Sequence, residues 1–76
     1  MTEVKFEAEP DFFAIYFDGE VHLFFVRAKF CAFTTYITAP GNYGVSLFLD
    51  GGMEILLQYS SRKIWEDVGK CLERIF

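Results

Sequence analysis

A chain of 76 residues makes one domain, 1–76, near the lower size at which a core holds without a disulfide or metal. Hydrophobic residues are 53% of it and aromatics 20%, more than one small core easily hides, so part of that surface is expected to meet a partner. The net charge of −4 gathers at the front, where Glu3, Glu7, Glu9, Asp11, Asp18 and Glu20 face Lys5 alone. That balance works against direct binding of nucleic acid or anionic membrane, since both need Lys and Arg to neutralise phosphate.

Val4, Phe6 and Ala8 alternate with Lys5 and Glu7, which predicts a half-buried strand over 2–8. Glu9-Pro10-Asp11 ends it. Two strand-forming runs follow, 11–17 and 20–27, separated by Asp18-Gly19. That dipeptide suits a type I′ hairpin turn, whose two central residues both need positive φ. Counting outward from the turn without interruption puts Phe12, Ala14, Tyr16, Val21, Leu23 and Phe25 on one face. Phe13, Ile15, Phe17, His22, Phe24 and Val26 fall on the other. Neither set looks like a solvated sheet face. The expectation is that Phe12, Tyr16, Leu23 and Phe25 join the core, while Phe13, Ile15, Phe17, Phe24 and Val26 meet a partner.

Arg27-Ala28-Lys29 is either a tight turn or a polar step in one long strand, with no Gly, Pro or Asn to decide. A strand over 30–38 follows, with Cys31, Phe33, Thr35 and Ile37 on one side and Phe30, Ala32, Thr34 and Tyr36 on the other. Residues 30–49 carry no charge, yet Pro40-Gly41-Asn42 interrupts them and the threonines read as strand, so no membrane span is expected. Strands over 44–49 and 53–59 flank Asp50-Gly51-Gly52 as a second hairpin. Val45, Leu47, Ile55 and Leu57 share its inner face. Ser60-Ser61 opens a helix over 61–75, with Ile64, Trp65, Val68, Cys71, Leu72, Ile75 and Phe76 forming an apolar stripe. Lys63–Asp67 and Glu66–Lys70 have the spacing of ion pairs on its opposite side.

The fold class is therefore α+β: an antiparallel sheet of five or six strands in meander-like hairpins, with one C-terminal helix packed on one face. The start Met-Thr-Glu-Val-Lys has neither the basic residues nor the apolar run of a secretory signal, and Cys31 and Cys71 stand far apart. Both point to a cytoplasmic protein with reduced, buried thiols.

Searching the residues for chemistry yields little. His22 has Glu20 two positions away but no nucleophile at a spacing that ties to it, so a structural histidine is the expectation. Cys31, Cys71 and His22 lack the short spacings of a zinc site. Glu7, Glu9 and Asp11 could flank a substrate as acid and base, but nothing in the sequence pushes one of them into an apolar pocket, so a solvated surface is the expectation. The glycine-containing loops lead into strands rather than helices and hold no phosphate-loop lysine. No enzyme activity, cofactor or metal is expected. The sequence points to a small acidic protein-interaction module, of which an inhibitor or adaptor encoded by mobile genetic elements is one form. It would form a homodimer or a stable hetero-complex, with Glu7, Glu9 and Asp11 meeting a basic partner surface. The alternatives are a small-ligand binder with a pocket between aromatic sheet and helix, and a nucleic-acid mimic that uses the acidic lobe.

Overall fold

The structure is a computed structural model that describes residues 2–75, so Phe76 of the expected helix stripe lies outside the described residues. Six strands are followed by one helix: β1 (Val4–Ala8), β2 (Phe12–Phe17), β3 (Glu20–Val26), β4 (Phe30–Ala39), β5 (Asn42–Leu49), β6 (Met53–Tyr59) and α1 (Arg62–Glu73). The class is α+β and every pairing is antiparallel. The strands form two three-stranded sheets, β1-β2-β3 and β4-β5-β6, which corrects the expectation of one continuous sheet. The division falls at Arg27–Lys29, a single 3-10 turn. The Arg27 N–H donates to the Asp11 carbonyl at 3.0 Å, whereas the Lys29 carbonyl accepts from Asp50 N–H at 2.7 Å. Peptide groups on either side of the turn are thus committed to different sheets, and β3 does not pair with β4.

In the first sheet Asp18 and Gly19 have φ of 51° and 85°, so both central residues of the turn are left-handed as its tightness requires. Phe17 then pairs with Glu20 and Tyr16 with Val21, but Ile15 pairs with Leu23. His22 is an extra residue, a β-bulge, and everything beyond it turns over relative to an uninterrupted count. Leu23 and Phe25 consequently lie on the same face as Ile15 and Phe13 rather than opposite them. Rings of Phe13 and Phe25 stack at 4.9 Å, and Phe6 of β1 meets Phe13 edge-on at 4.7 Å.

Bulges also shape β4, at Cys31 and at Thr38. The first brings Phe30 round to the side of Phe33, with ring centroids 6.4 Å apart, and Phe30 also approaches Phe25 of the other sheet at 5.2 Å. Phe30 and Phe33 were expected on opposite sides. Cys31 itself is turned outward and exposed, which corrects its expected burial; Cys71 is half-buried, and both are free thiols.

The core unites Phe13, Ile15, Leu23 and Phe25 of the first sheet, Val45 and Leu47 of the second, and Val68 and Leu72 of α1. Helix α1 packs against β5 and β6, as its stripe predicts, and against β1 as well. The Ser61 hydroxyl accepts from Ile64 N–H at 3.3 Å, capping the first turn. Trp65 Nε1 donates to the Gly44 carbonyl at 2.8 Å and so anchors the helix on β5. Glu66 pairs with Arg62 rather than Lys70, at 3.0 Å, alongside Lys63–Asp67 at 3.4 Å.

Two further ties join segments distant in the chain. The His22 ring lies flat against Phe17, centroids 4.0 Å apart, and its Nε2 is 2.7 Å from the Tyr59 hydroxyl on β6. Arg27 donates to the carbonyls of Glu9 and Ile75, at 3.2 and 3.4 Å, joining the β1–β2 turn to the residues after α1.

Two glycines test this packing in opposite directions. A methyl group at Gly44 would collide with the Tyr36 ring directly across the ladder, whereas one at Gly69 would meet, among the described residues, only Thr35 Cγ2 at an ordinary 3.7 Å. Gly44→Ala should lower the denaturant midpoint, and Gly69→Ala should raise stability by about 0.5–1 kcal/mol through helix propensity.

His22 gives a second test. Burial holds its imidazole below the ordinary 6.5, since removal from water disfavours the charged ring. Below 6.5 the unfolded chain therefore binds the proton more readily than the folded one, and stability from this site, full above that pH, is lost as pH falls through the window beneath it. Urea denaturation at about pH 7.5 and about pH 5.5, where most carboxylates stay ionised, should show a larger loss for the wild type than for His22→Gln. Equal losses would remove His22 as the source.

Candidate partner-binding face

The outer face of the first sheet is built by cross-strand rows. Glu7 lies opposite Ala14 and Ala14 opposite Phe24; Lys5 lies opposite Tyr16 and Tyr16 opposite Val21; Phe12 lies opposite Val26. With the inner face filled by Phe13, Ile15, Leu23 and Phe25, Val21, Phe24 and Val26 are left exposed on the outer face, beside a half-buried Phe12 and Tyr16. Val21 is 62% exposed, Phe24 57% and Val26 49%. Phe12 stacks on Phe24 at 5.2 Å, which fixes two rings as one flat apolar platform.

Of the residues the sequence assigned to a partner surface, the structure brings Phe24 and Val26 together here. Phe13 and Ile15 are fully buried in the chain's own core, and Phe17 is half-buried against His22. The five do not share a face, because the bulge at His22 exchanges the partners of β2 beyond Tyr16. The same shift brings Phe12, Val21 and Tyr16 to the outer surface in their place. Of these, Phe12 and Tyr16 stood in the set opposite the assigned one. An uninterrupted alternation has no residue type that announces a bulge, so no sequence signal separated the two sets.

Acidic groups border the platform. Tyr16 donates its hydroxyl to Glu7 Oε1 at 3.0 Å, and that bond to a carboxylate, with some burial, pushes the phenol above its ordinary value. Glu9 and Asp11 flank Phe12 in the β1–β2 turn, where their backbone groups are fixed by Arg27 and by Glu9 N–H donating to the Phe12 carbonyl at 2.9 Å. Among the described residues the ion pairs are Glu3–Lys5, Arg62–Glu66 and Lys63–Asp67, so no cation among them lies against the carboxylates of Glu7, Glu9, Asp11 and Glu20.

The candidate reactive groups are dispersed. His22 faces Tyr59 and Phe17 in the seam between sheets, and burial pushes the Tyr59 phenol far upward, so this hydroxyl stays neutral. Burial likewise raises the Cys71 thiol, which leaves it less reactive. Among the described residues no three His, Cys, Asp or Glu side chains cluster as ligands for a metal ion, and no helix is long and apolar enough to cross a membrane. Surface grooves border α1, among them one of about 220 Å³ between Thr35, Trp65, Gly69 and Glu73 and another of about 300 Å³ between Val4, Phe6, Cys71 and Arg74. Comparison with protein-family models, with curated proteins and with solved structures gives no match.

Proposed function

We propose that the protein is a small acidic interaction module that binds a partner protein through the outer face of its first sheet. The observation that supports this reading is the coincidence of an exposed Phe24 stacked on a half-buried Phe12 with carboxylates that no cation among the described residues neutralises. An apolar centre with a charged rim is the anatomy of a protein interface, with aromatic rings supplying most of the affinity and the rim selecting the partner by charge. Here the rim selects a basic surface. An inhibitor or adaptor role fits a chain of this size, whose whole surface is small compared with that of an enzyme it would occlude. The small-ligand alternative has less to support it, because the grooves beside α1 hold only about 220–300 Å³ and lie open at the surface. The nucleic-acid-mimic alternative shares the acidic rim but leaves the aromatic centre without a purpose.

Immobilised full-length protein should retain a basic protein from extracts of its native host at low salt and release it as salt rises. Phe24→Asp should abolish that retention, a loss of at least about 2 kcal/mol if Phe24 is a hot spot. The fold should lose no more than the stacked pair contributes, about 0.5–1.5 kcal/mol. Glu7→Lys with Glu9→Lys should weaken capture through the association rate. Retention that is unchanged in Phe24→Asp would defeat the proposal. Phe13→Asp is the contrasting control and should unfold the chain, since it places a charge in the core.

A further inference from the structure

Four strands lie at sheet edges: β1 and β3 in the first sheet, β4 and β6 in the second. An edge strand presents unpaired N–H and C=O groups along one side, and proteins usually guard it with charge, a bulge or brevity. Three of the four are guarded. β1 has five residues and carries Lys5 and Glu7. β3 carries Glu20 and is broken by the His22 bulge. β6 carries Glu54 and is tied at its end to His22 through Tyr59. β4 is the longest, ten residues, and has no charged side chain at all. Its two bulges sit near its ends, at Cys31 and Thr38, and between them residues 32–37 run in unbroken register against β5.

We infer that this edge of β4 is a dimerisation edge, on which a second copy of the chain adds its own β4 in antiparallel fashion about a two-fold axis. Charge selects that occupant. The chain has a net charge of −4, concentrated on the first sheet, so two copies meeting through that face would set carboxylates against carboxylates. Pairing through β4 places no like charges opposite one another and holds the two acidic lobes apart. A strand that pairs with its own reversed copy must be complementary to itself. Residues 32–37 meet that need, being Ala, Phe, Thr, Thr, Tyr and Ile, types that favour extended backbone and whose Thr–Thr cross-strand contacts are favourable. Joining the edges turns two three-stranded sheets into one sheet of six strands and satisfies the outward peptide groups of both copies. The first-sheet face stays open on both sides of such a dimer, so this inference stands independently of the proposed partner.

Light scattering across a wide concentration range, on full-length protein, tests it. The expected result is twice the monomer mass for the wild type and for Phe24→Asp, and monomer mass for Thr34→Lys combined with Ile37→Lys, which sets cations along the edge. A wild type that is monomeric at every concentration overturns the inference. So does a dimer that survives the two lysines. Should the lysine variant fail to fold, amide hydrogen exchange of the wild type decides. Protection of outward amides within 32–37 that grows with protein concentration supports the edge, and exchange rates independent of concentration overturn it.

Discussion

The register of β2 against β3 governs the rest of the molecule. Both strands are apolar at nearly every position, so alternation alone would let either set of side chains face inward. The inserted residue at His22 resolves the ambiguity by aligning Leu23 and Phe25 with Ile15 and Phe13. Those four side chains form the first sheet's share of the core, and Val45, Leu47, Val68 and Leu72 close over them. Without the bulge the hairpin would divide its large residues evenly between core and solvent. With it, the inner face is filled and a smaller group of Phe12, Val21, Phe24 and Val26 is left outside. The same residue that creates the shift also stabilises it, because His22 is turned inward onto Phe17 and reaches Tyr59 of the other sheet.

The two sheets and the helix are joined by a few polar bonds set among aromatic rings. His22 with Tyr59, Trp65 with the Gly44 carbonyl, and Arg27 with the carbonyls of Glu9 and Ile75 each connect segments distant in sequence. Each satisfies a polar group that packing would otherwise strip of water, so they set the relative placement of the layers as well as contributing stability. Apolar contacts alone, such as Phe25 against Phe30, would hold the layers together without fixing their angle.

Much of this was legible in the residues. Asp18-Gly19 marked its turn, Ser61 marked the helix start, and Val45, Leu47, Ile55 and Leu57 marked the inner face of the second hairpin, because in each case a local chemical requirement admits few residue types. The bulges at His22 and Cys31 were not legible. A bulge adds one residue without changing composition, and in a strand that is apolar on both sides the pattern fits either register equally well. The break between sheets at Arg27–Lys29 was hidden for a related reason: a 3-10 turn needs no glycine or proline, and what separates the sheets is the choice of hydrogen-bond partners, Asp11 for one side and Asp50 for the other. The candidate interface inherited these blind spots. Glu7, Glu9 and Asp11 were placed correctly as surface acids, while the aromatic residues beside them depended on a register the sequence did not display.

Every strand of the molecule pairs with its neighbour in the chain, and this has a consequence for how the protein forms and comes apart. Each sheet can close by successive short hairpins, whose loop-closure entropy is small, whereas docking the sheets must wait for contacts such as His22–Tyr59, which spans 37 residues. Ordering is therefore cheap within a sheet and expensive between them. Parting the sheets would bare Phe13, Ile15, Leu23 and Phe25 together with Val45 and Leu47, so the seam is the last part of the fold to form and, once closed, opens only at the cost of the core itself.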